Sequence, residues 1–290
     1  MTFTAVVVIH DSARHLEALL RSIERHLGAG PPQVVVVDSG SRDDGAAVAR
    51  AHGAEVHVLD DNPGFGAASN AGLEHARHDV TVLLNPDCEL IDGSLAALAA
   101  RAETRDALLV PRLLNADGTL QRSAHPLPGR PLALLPALWP PRAMPRPLRL
   151  RFEPWRAAAP VTVGWAIAAC LAARTDLLRA LGPFDPAAFL FYEDLDLCLR
   201  ARVAGIPTEL RPEIRLMHHG GHATRPALGS KALDLQARRR RDVIGTRLGP
   251  RALALDDAAQ ALTFGARALA GRRRAENLAE LRSLRRARRG

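Results

Sequence analysis

Three carboxylates fall within four positions at Glu193, Asp194 and Asp196, in the stretch YEDLDLCLR, directly after the apolar run FDPAAFLFY. Acidic side chains suit the first turn of a helix, where unpaired backbone N–H groups favour negative charge. A carboxylate entering from apolar surroundings is also driven up toward the range of a general base, because burial disfavours its charged form. The residues alone leave both readings open. Asp87, in Asn85-Pro86-Asp87, offers a hard oxygen to a divalent cation on a diphosphate, or starts an Asx turn. His218, the first of the HHGG pair, offers a neutral imidazole to a metal, although such pairs are more often structural. Asp38 opens the polar turn DSGSRDDG, with Ser41 and Asp43 inside it. Its carboxylate suits a nucleobase imide or a ribose hydroxyl, and equally a helix cap. Gly66 and Asn70 lie in GFGAASNAG, where small residues let a backbone approach a ligand or a neighbouring element closely.

These residues sit where a strand–helix alternation would put them. TAVVVI (4–9) and VVVVD (34–38) are apolar runs of strand length, and EVHVLD (55–60) and VTVLLN (80–85) read as the third and fourth strands, without clean alternation. Leu16, Leu19, Leu20 and Ile23 give the first intervening helix an apolar face, and a further helix is expected near 67–77. Strands that are apolar on both faces and separated by helices predict an α/β fold with a mostly parallel central sheet flanked by helices. Ligands of such sheets bind beyond the carboxyl ends of the strands. Asp11, Asp38–Asp43 and Asn85–Asp87 all follow strand ends. Further on, 161–173 reads as one buried strand, 175–181 as a helix, and 194–205 as an amphipathic helix with Leu195, Leu197, Leu199 and Val203 on its apolar side.

Two segments differ in composition. Ten of the 21 prolines lie in residues 126–160, interleaved with arginine, leucine and two tryptophans, which predicts a loop or lid. Residues 231–290 read as a helical, arginine-rich extension to a domain covering 1–230. Net charge is +8, which suits an anionic partner: a phosphorylated substrate, an acidic membrane surface or nucleic acid. Nucleic acid is not expected, because the arginine clusters sit in the tail and few aromatics are present for base stacking. Cys88, Cys170 and Cys198 show no metal-site spacing and read as reduced thiols in a cytosolic core. The apolar stretch 157–173 is interrupted by Pro160, Thr162 and Gly164 and reads as buried strand rather than membrane span.

Taken in order, VVVIHDS, VVVVDSGSRDDG, NPGFGAASNAG, LLNPDCEL, DGTLQRSAHPLPG, GPFDPAAFLFYEDLDLCLR, AGIP and HHGG resemble family 2 glycosyltransferases of the GT-A fold. The resemblance spans residues 4–222 and is nearest the rhamnosyltransferase-like branch. It implies an inverting transfer of a sugar, rhamnose as first guess, from a dTDP- or UDP-sugar to a hydroxyl acceptor. Asp194 resembles the family's general base, with Glu193 beside it. Asp87 resembles the last acid of the metal-binding DxD motif, and His218 a metal-site histidine, so Mg²⁺ or Mn²⁺ is implied. Asp11, Asp38, Ser41, Asp43, Gly66, Asn70 and Asn85 fall on the nucleotide-sugar side, and Arg122, Trp165 and Asp196 on the acceptor side. The acceptor implied is a glycan, a lipid-linked or a small molecule, met in the cytoplasm with peripheral contact at the inner face of the plasma membrane. The chain departs from the pattern at Asn85, which replaces a metal carboxylate, at Ile9-His10-Asp11, and at Ala223-Thr224.

Overall fold

The β-branched runs form one half of a single sheet, with β3 at its edge and the more deeply buried strands inside. β1 (Thr4–Ile9), β2 (Gln33–Ser39), β3 (Glu55–Leu59) and β4 (Val80–Leu84) pair in parallel in the order β3-β2-β1-β4. In this computed structural model residues 2–186, 188–220, 231–271 and 273–289 are described; Gly221, Ala223 and Thr224 lie outside them. Helices α1 (Ala13–Leu27), α2 (Gly45–Ala51) and α3 (Phe65–Glu74) connect these strands, and Leu16, Leu19, Leu20 and Ile23 of α1 are buried against the sheet. Gly72 lets α3 lie close on the sheet: a Cβ there would stand 2.4 Å from Val6 Cγ1.

The second half widens the sheet. After β5 (Cys88–Leu90) and α4 (Ser94–Glu103), β6 (Leu108–Leu114) joins it, and β7 (Ala124–His125) forms a separate ribbon with β9. The region 161–173 is not one strand. It breaks into β8 (Val161–Val163), β9 (Trp165–Ala166) and β10 (Cys170–Arg174), which lie in two sheets. Gly164 is the pivot, packed so tightly that a Cβ would fall 2.0 Å from the Leu127 nitrogen. β10 runs antiparallel to β4, and β11 (Thr208–His218) pairs parallel with β6. The sheet is therefore mostly parallel, as expected. The proline-rich segment is also more ordered than a loop. It contains the short helices α5 (Leu135–Leu138) and α6 (Arg146–Phe152) and three 3₁₀ turns.

After α7 (Thr175–Leu181), helix α8 (Glu193–Val203) carries the acidic cluster. Its two-faced pattern needs correction: Val203 is 86% exposed, while Leu195, Leu197 and Leu199 are all buried. The reason is cover from both sides. Leu197 and Cys198 face the sheet core, and Leu195 and Leu199 pack with Val243 and Ile244 of α9 (Lys231–Leu248). Helices α10 (Pro250–Leu269) and α11 (Arg274–Ala287) pack against α9 and each other. Several tail arginines are spent inside this bundle. Arg240 pairs with Asp256 at 2.7 Å, Arg286 with Asp234 at 2.7 Å, and Arg241 with Asp257.

Candidate functional site

A cavity of about 560 Å³ opens beyond the carboxyl ends of β1, β2, β4 and β11. It gathers His10, Ser12, Ser39, Asn85, Asp87 and His218 from those ends, Ala168 and Ala169 before β10, and Glu193 and Asp194 at the start of α8. The loop 188–192 closes one side. Phe191 and Tyr192 both have positive φ, 73° and 63°, an uncommon conformation for two consecutive aromatic residues that turns the chain sharply into α8. Gly64 accepts the loop from the other side at φ 95°, where a Cβ would meet the Phe189 carbonyl oxygen at 2.1 Å.

The acid pair behaves as its surroundings dictate. Burial raises the Asp194 carboxyl to about 6, against the pull of the Leu195 and Ala168 backbone N–H groups. Glu193 is 8% exposed and its Oε2 has no hydrogen-bond partner. Burial, and then the charge of Asp194, push it up to about 8. Two adjacent buried carboxyls, both raised, favour holding one charge between them, which puts a base and a hydrogen-bond donor side by side.

The same cavity holds a second constellation. His218 Nε2 lies 3.2 Å from Asp87 Oδ1. Its Nδ1 lies 2.7 Å from Gln121 Oε1, and Gln121 Nε2 donates to the His218 and Asn115 oxygens at 3.1 Å each. The glutamine is thus oriented with its oxygen toward Nδ1, which donates to it, so the ring is held with Nε2 facing Asp87. Asn85 Oδ1 is buried without a partner beside them. Burial works to raise the Asp87 carboxyl, and the His218 hydrogen bond and charge outweigh it, leaving Asp87 below its usual range. A carboxylate and an imidazole 3.2 Å apart, with a buried amide beside them, offer the donor types a divalent cation takes. Gln121 lies in a motif legible in the sequence, but nothing in its type announced this role. Among the described residues a different trio, Glu55, His57 and His75, brings ligand atoms within 4.8 Å of one another. It lies by the start of β3, outside the cavity lining, and Glu55 is also engaged by Gln33 and Arg77.

The expected nucleotide loop is built but turned inward. Asp38 Oδ1 accepts from the Ser41 N–H at 2.9 Å, and Ser41 Oγ accepts from the Asp11 N–H at 3.1 Å. Asp43 accepts from Ala13 and Gly45 N–H groups at 2.8 and 3.1 Å, and Asp11 Oδ1 from Arg42 N–H at 2.7 Å. None of these four lines the cavity; they lace the ends of β1 and β2 together behind His10, Ser12 and Ser39, which do. Gly66 and Asn70 also change place. A Cβ on Gly66 would meet Phe184 Cβ at 3.0 Å, and the Asn70 amide bonds both backbone groups of Phe184, at 2.8 and 3.1 Å. Both dock α3 onto the 183–192 loop.

The three residues expected on the acceptor side do not line the cavity. Asp196 is 6% exposed, accepting from Arg200 at 2.8 Å and from Arg247 at 2.6 Å, so it ties α8 to α9. Trp165 stacks on His125 at 4.3 Å and leans on Tyr192 at 6.0 Å, supporting the residue before Glu193 from outside the cavity. Arg122 lies over Trp155, 5.6 Å from its ring.

The family model for Glycosyl transferase family 2 matches residues 4–161. N-acetylglucosaminyl-diphospho-decaprenol L-rhamnosyltransferase of Mycobacterium tuberculosis (strain CDC 1551 / Oshkosh) is 30% identical over 239 residues, 76% of each chain. Two solved structures superpose over most of the molecule. S. aureus TarS 1–349 has a TM-score of 0.53 at 16% identity, covering 92% of this chain and 72% of that one. Mannosyltransferase PcManGT from Pyrobaculum calidifontis, in complex with GDP-Man and Mn²⁺, has a TM-score of 0.54 at 16% identity, covering 98% and 73%. At such identities the structural likeness speaks for the fold.

Proposed function

This chain belongs to glycosyl transferase family 2, and from that premise we propose that it is an inverting transferase in which Asp194 is the general base. The observation that supports this most is the presence, in one cavity, of a carboxyl raised to about 6 and of the Asp87–His218 pair. Asp194 takes the proton from an acceptor hydroxyl while that oxygen bonds to the anomeric carbon and the bond to the diphosphate oxygen breaks. Glu193, protonated at neutral pH, donates to a sugar oxygen and keeps a second negative charge away from the donor. Asp87, His218 and Asn85 would hold Mg²⁺ or Mn²⁺, which would supply positive charge to offset that on a departing diphosphate. His10, Ser12 and Ser39 face the nucleoside, and the Asp11, Asp38, Ser41 and Asp43 network keeps their loops in place.

The donor we favour is dTDP- or UDP-rhamnose. Ile167, Phe65, Phe189 and Phe191 make much of the cavity wall apolar, which suits a methyl group in place of a sugar hydroxymethyl. The mycobacterial relative is, by name, a rhamnosyltransferase acting on a diphospho-decaprenol acceptor, and a lipid-linked acceptor for cell-envelope glycan assembly is the reading we adopt here. No helix among the described residues is long and apolar enough to cross a membrane; contact at the cytoplasmic membrane face would be peripheral. The test is a thermal-shift screen of nucleotide sugars with and without Mn²⁺, followed by transfer to a diphospholipid-linked sugar. Stabilisation by dTDP- or UDP-sugars only with metal, and product formation lost in Asp194→Asn, are expected. Metal-independent binding, or turnover by that variant, would refute the assignment.

A further inference from the structure

The proline-rich segment carries an apolar apex that the transfer reaction does not use. Leu138 is 81% exposed and Trp139 40%, at the end of α5, and Leu132 is 44% exposed in the turn before it. Pro136 precedes this pair and Pro140-Pro141 follow it, so backbone freedom is already restricted and little is lost on docking. The apex is also backed. Residues 131–138 pack on α10, and Gly129 approaches that helix so closely that a Cβ would lie 2.6 Å from Ala252 Cβ. α10 itself exposes Leu262 and Leu269, 49% and 91%, which are seven residues apart and so share one side of the helix.

Charge surrounds the apex. Residues 130–156 contain six arginines and one carboxylate, Glu153. Arg149 and Arg156 take that carboxylate, at 2.6 and 2.7 Å. Arg130, Arg142 and Arg146 are exposed and make no ion pair among the described residues. A rigid Leu-Trp tip ringed by unpaired guanidinium groups fits a boundary that is apolar on one side and anionic on the other. Nucleic acid would want a groove with several stacking rings, and this apex presents a single tryptophan beside aliphatic leucines.

We propose that residues 130–146 dock this protein on an anionic lipid bilayer, with Leu132, Leu138 and Trp139 entering the acyl boundary and Arg130, Arg142 and Arg146 on headgroup phosphates. The docking element is thereby this segment, not the arginine-rich tail, many of whose arginines are paired within the helical bundle. A lipid-linked acceptor would lie in the same surface, but vesicle binding needs neither donor nor acceptor, so its failure would leave the transferase reading untouched.

The test is co-sedimentation of the full chain with phosphatidylglycerol/phosphatidylcholine vesicles and with phosphatidylcholine alone. Wild type is expected to sediment with the anionic vesicles and to be released by salt. The exposed double variant Leu138→Asp/Trp139→Asp should lose binding at least about tenfold, and Arg142→Gln/Arg146→Gln roughly 25-fold, at about fivefold per arginine. Wild type remaining in the supernatant, unchanged sedimentation of the aspartate variant, or binding to a short nucleic-acid duplex but not to anionic vesicles would overturn the proposal. A second readout keeps the apolar tip. Brominated acyl chains should quench wild-type tryptophan fluorescence and lose that quenching in Trp139→Leu; equal quenching in both would place Trp139 outside the bilayer.

Discussion

Replacing Asp194 by asparagine keeps the side chain's shape and removes its charge, so stability and turnover should move in opposite directions. Burial lifts the carboxyl from 3.8 to about 6. A rise of about two pH units amounts to about 3 kcal/mol against the charged folded form, a ceiling that partial solvent access at the cavity cuts to about 1–2 kcal/mol. The folded carboxyl holds its proton more tightly than the unfolded one, so the penalty is absent below 3.8 and complete above about 6. Loss of the Asp194 charge also relieves Glu193, whose ionisation that charge opposes. The asparagine oxygen still accepts from the Leu195 N–H, at 2.7 Å in the wild type. The variant should therefore melt about 2–5 °C above wild type near pH 8, with the difference vanishing near pH 4. Transfer should fall about a hundredfold to ten-thousandfold, the usual contribution of a general base. Calorimetric melts across that pH range, beside a product assay on the same preparations, decide the matter. A variant that melts lower at high pH, or by the same amount at every pH, refutes the buried-charge argument; retained turnover refutes the base.

The wild-type rate should rise as pH passes about 6 and inflect again near 8, when Glu193 ionises beside the base. Glu193→Gln should keep the neutral rate and erase the upper inflection in a pH–rate profile. Gln121→Leu removes the acceptor that fixes the His218 ring and should weaken Mn²⁺-dependent nucleoside-diphosphate binding about 10- to 100-fold, measured by titration calorimetry. Asp196→Ala leaves Arg200 and Arg247 without their shared carboxylate and should cost about 3–5 kcal/mol of stability in urea melts, while the folded fraction still binds donor.

β1, β2 and β4 were legible because their burial on both faces leaves near-continuous apolar runs, while the edge strand β3 showed only as a short β-branched stretch. TAVVVI at 4–9 is β1 to the residue, and the other three differ by a residue or so at their ends. The break at Gly164 was not legible: an apolar run looks the same whether it stays in one sheet or passes between two. The burial of α8 on both sides was hidden for a related reason, since its second partner, α9, is more than 25 residues away in sequence. In the site, Asp194, Glu193, Asp87, Asn85 and His218 reach the cavity as expected. Asp38, Asp43, Gly66 and Asn70 instead hold its loops and helices. Motif order identifies residues the architecture needs at that place, but whether a carboxylate meets ligand or backbone N–H depends on where its loop folds back. Asp196 illustrates the limit: it sits two positions from the base, and its direction along the helix sends it to Arg247.

Arginine dominates the chain's charge, yet the residues lining the cavity include neither arginine nor lysine among those described. The cationic balance that suggested a phosphorylated substrate is spent elsewhere, on the C-terminal bundle and on the 130–156 segment. What faces a donor diphosphate is Asp87, held below its usual range and so ionised at neutral pH, Asp194, and three imidazoles from His10, His15 and His218. Two like charges brought against a diphosphate in a partly desolvated cavity would repel it. Replacing the family's second metal carboxylate with Asn85 lowers that repulsion by one charge but does not reverse it. The donor should thus depend on a divalent cation for most of its affinity: chelation should weaken nucleoside-diphosphate binding at least about tenfold, and Asp87→Ala should abolish the metal dependence itself. Equal affinity with and without Mn²⁺ would refute the argument that a cation offsets this repulsion.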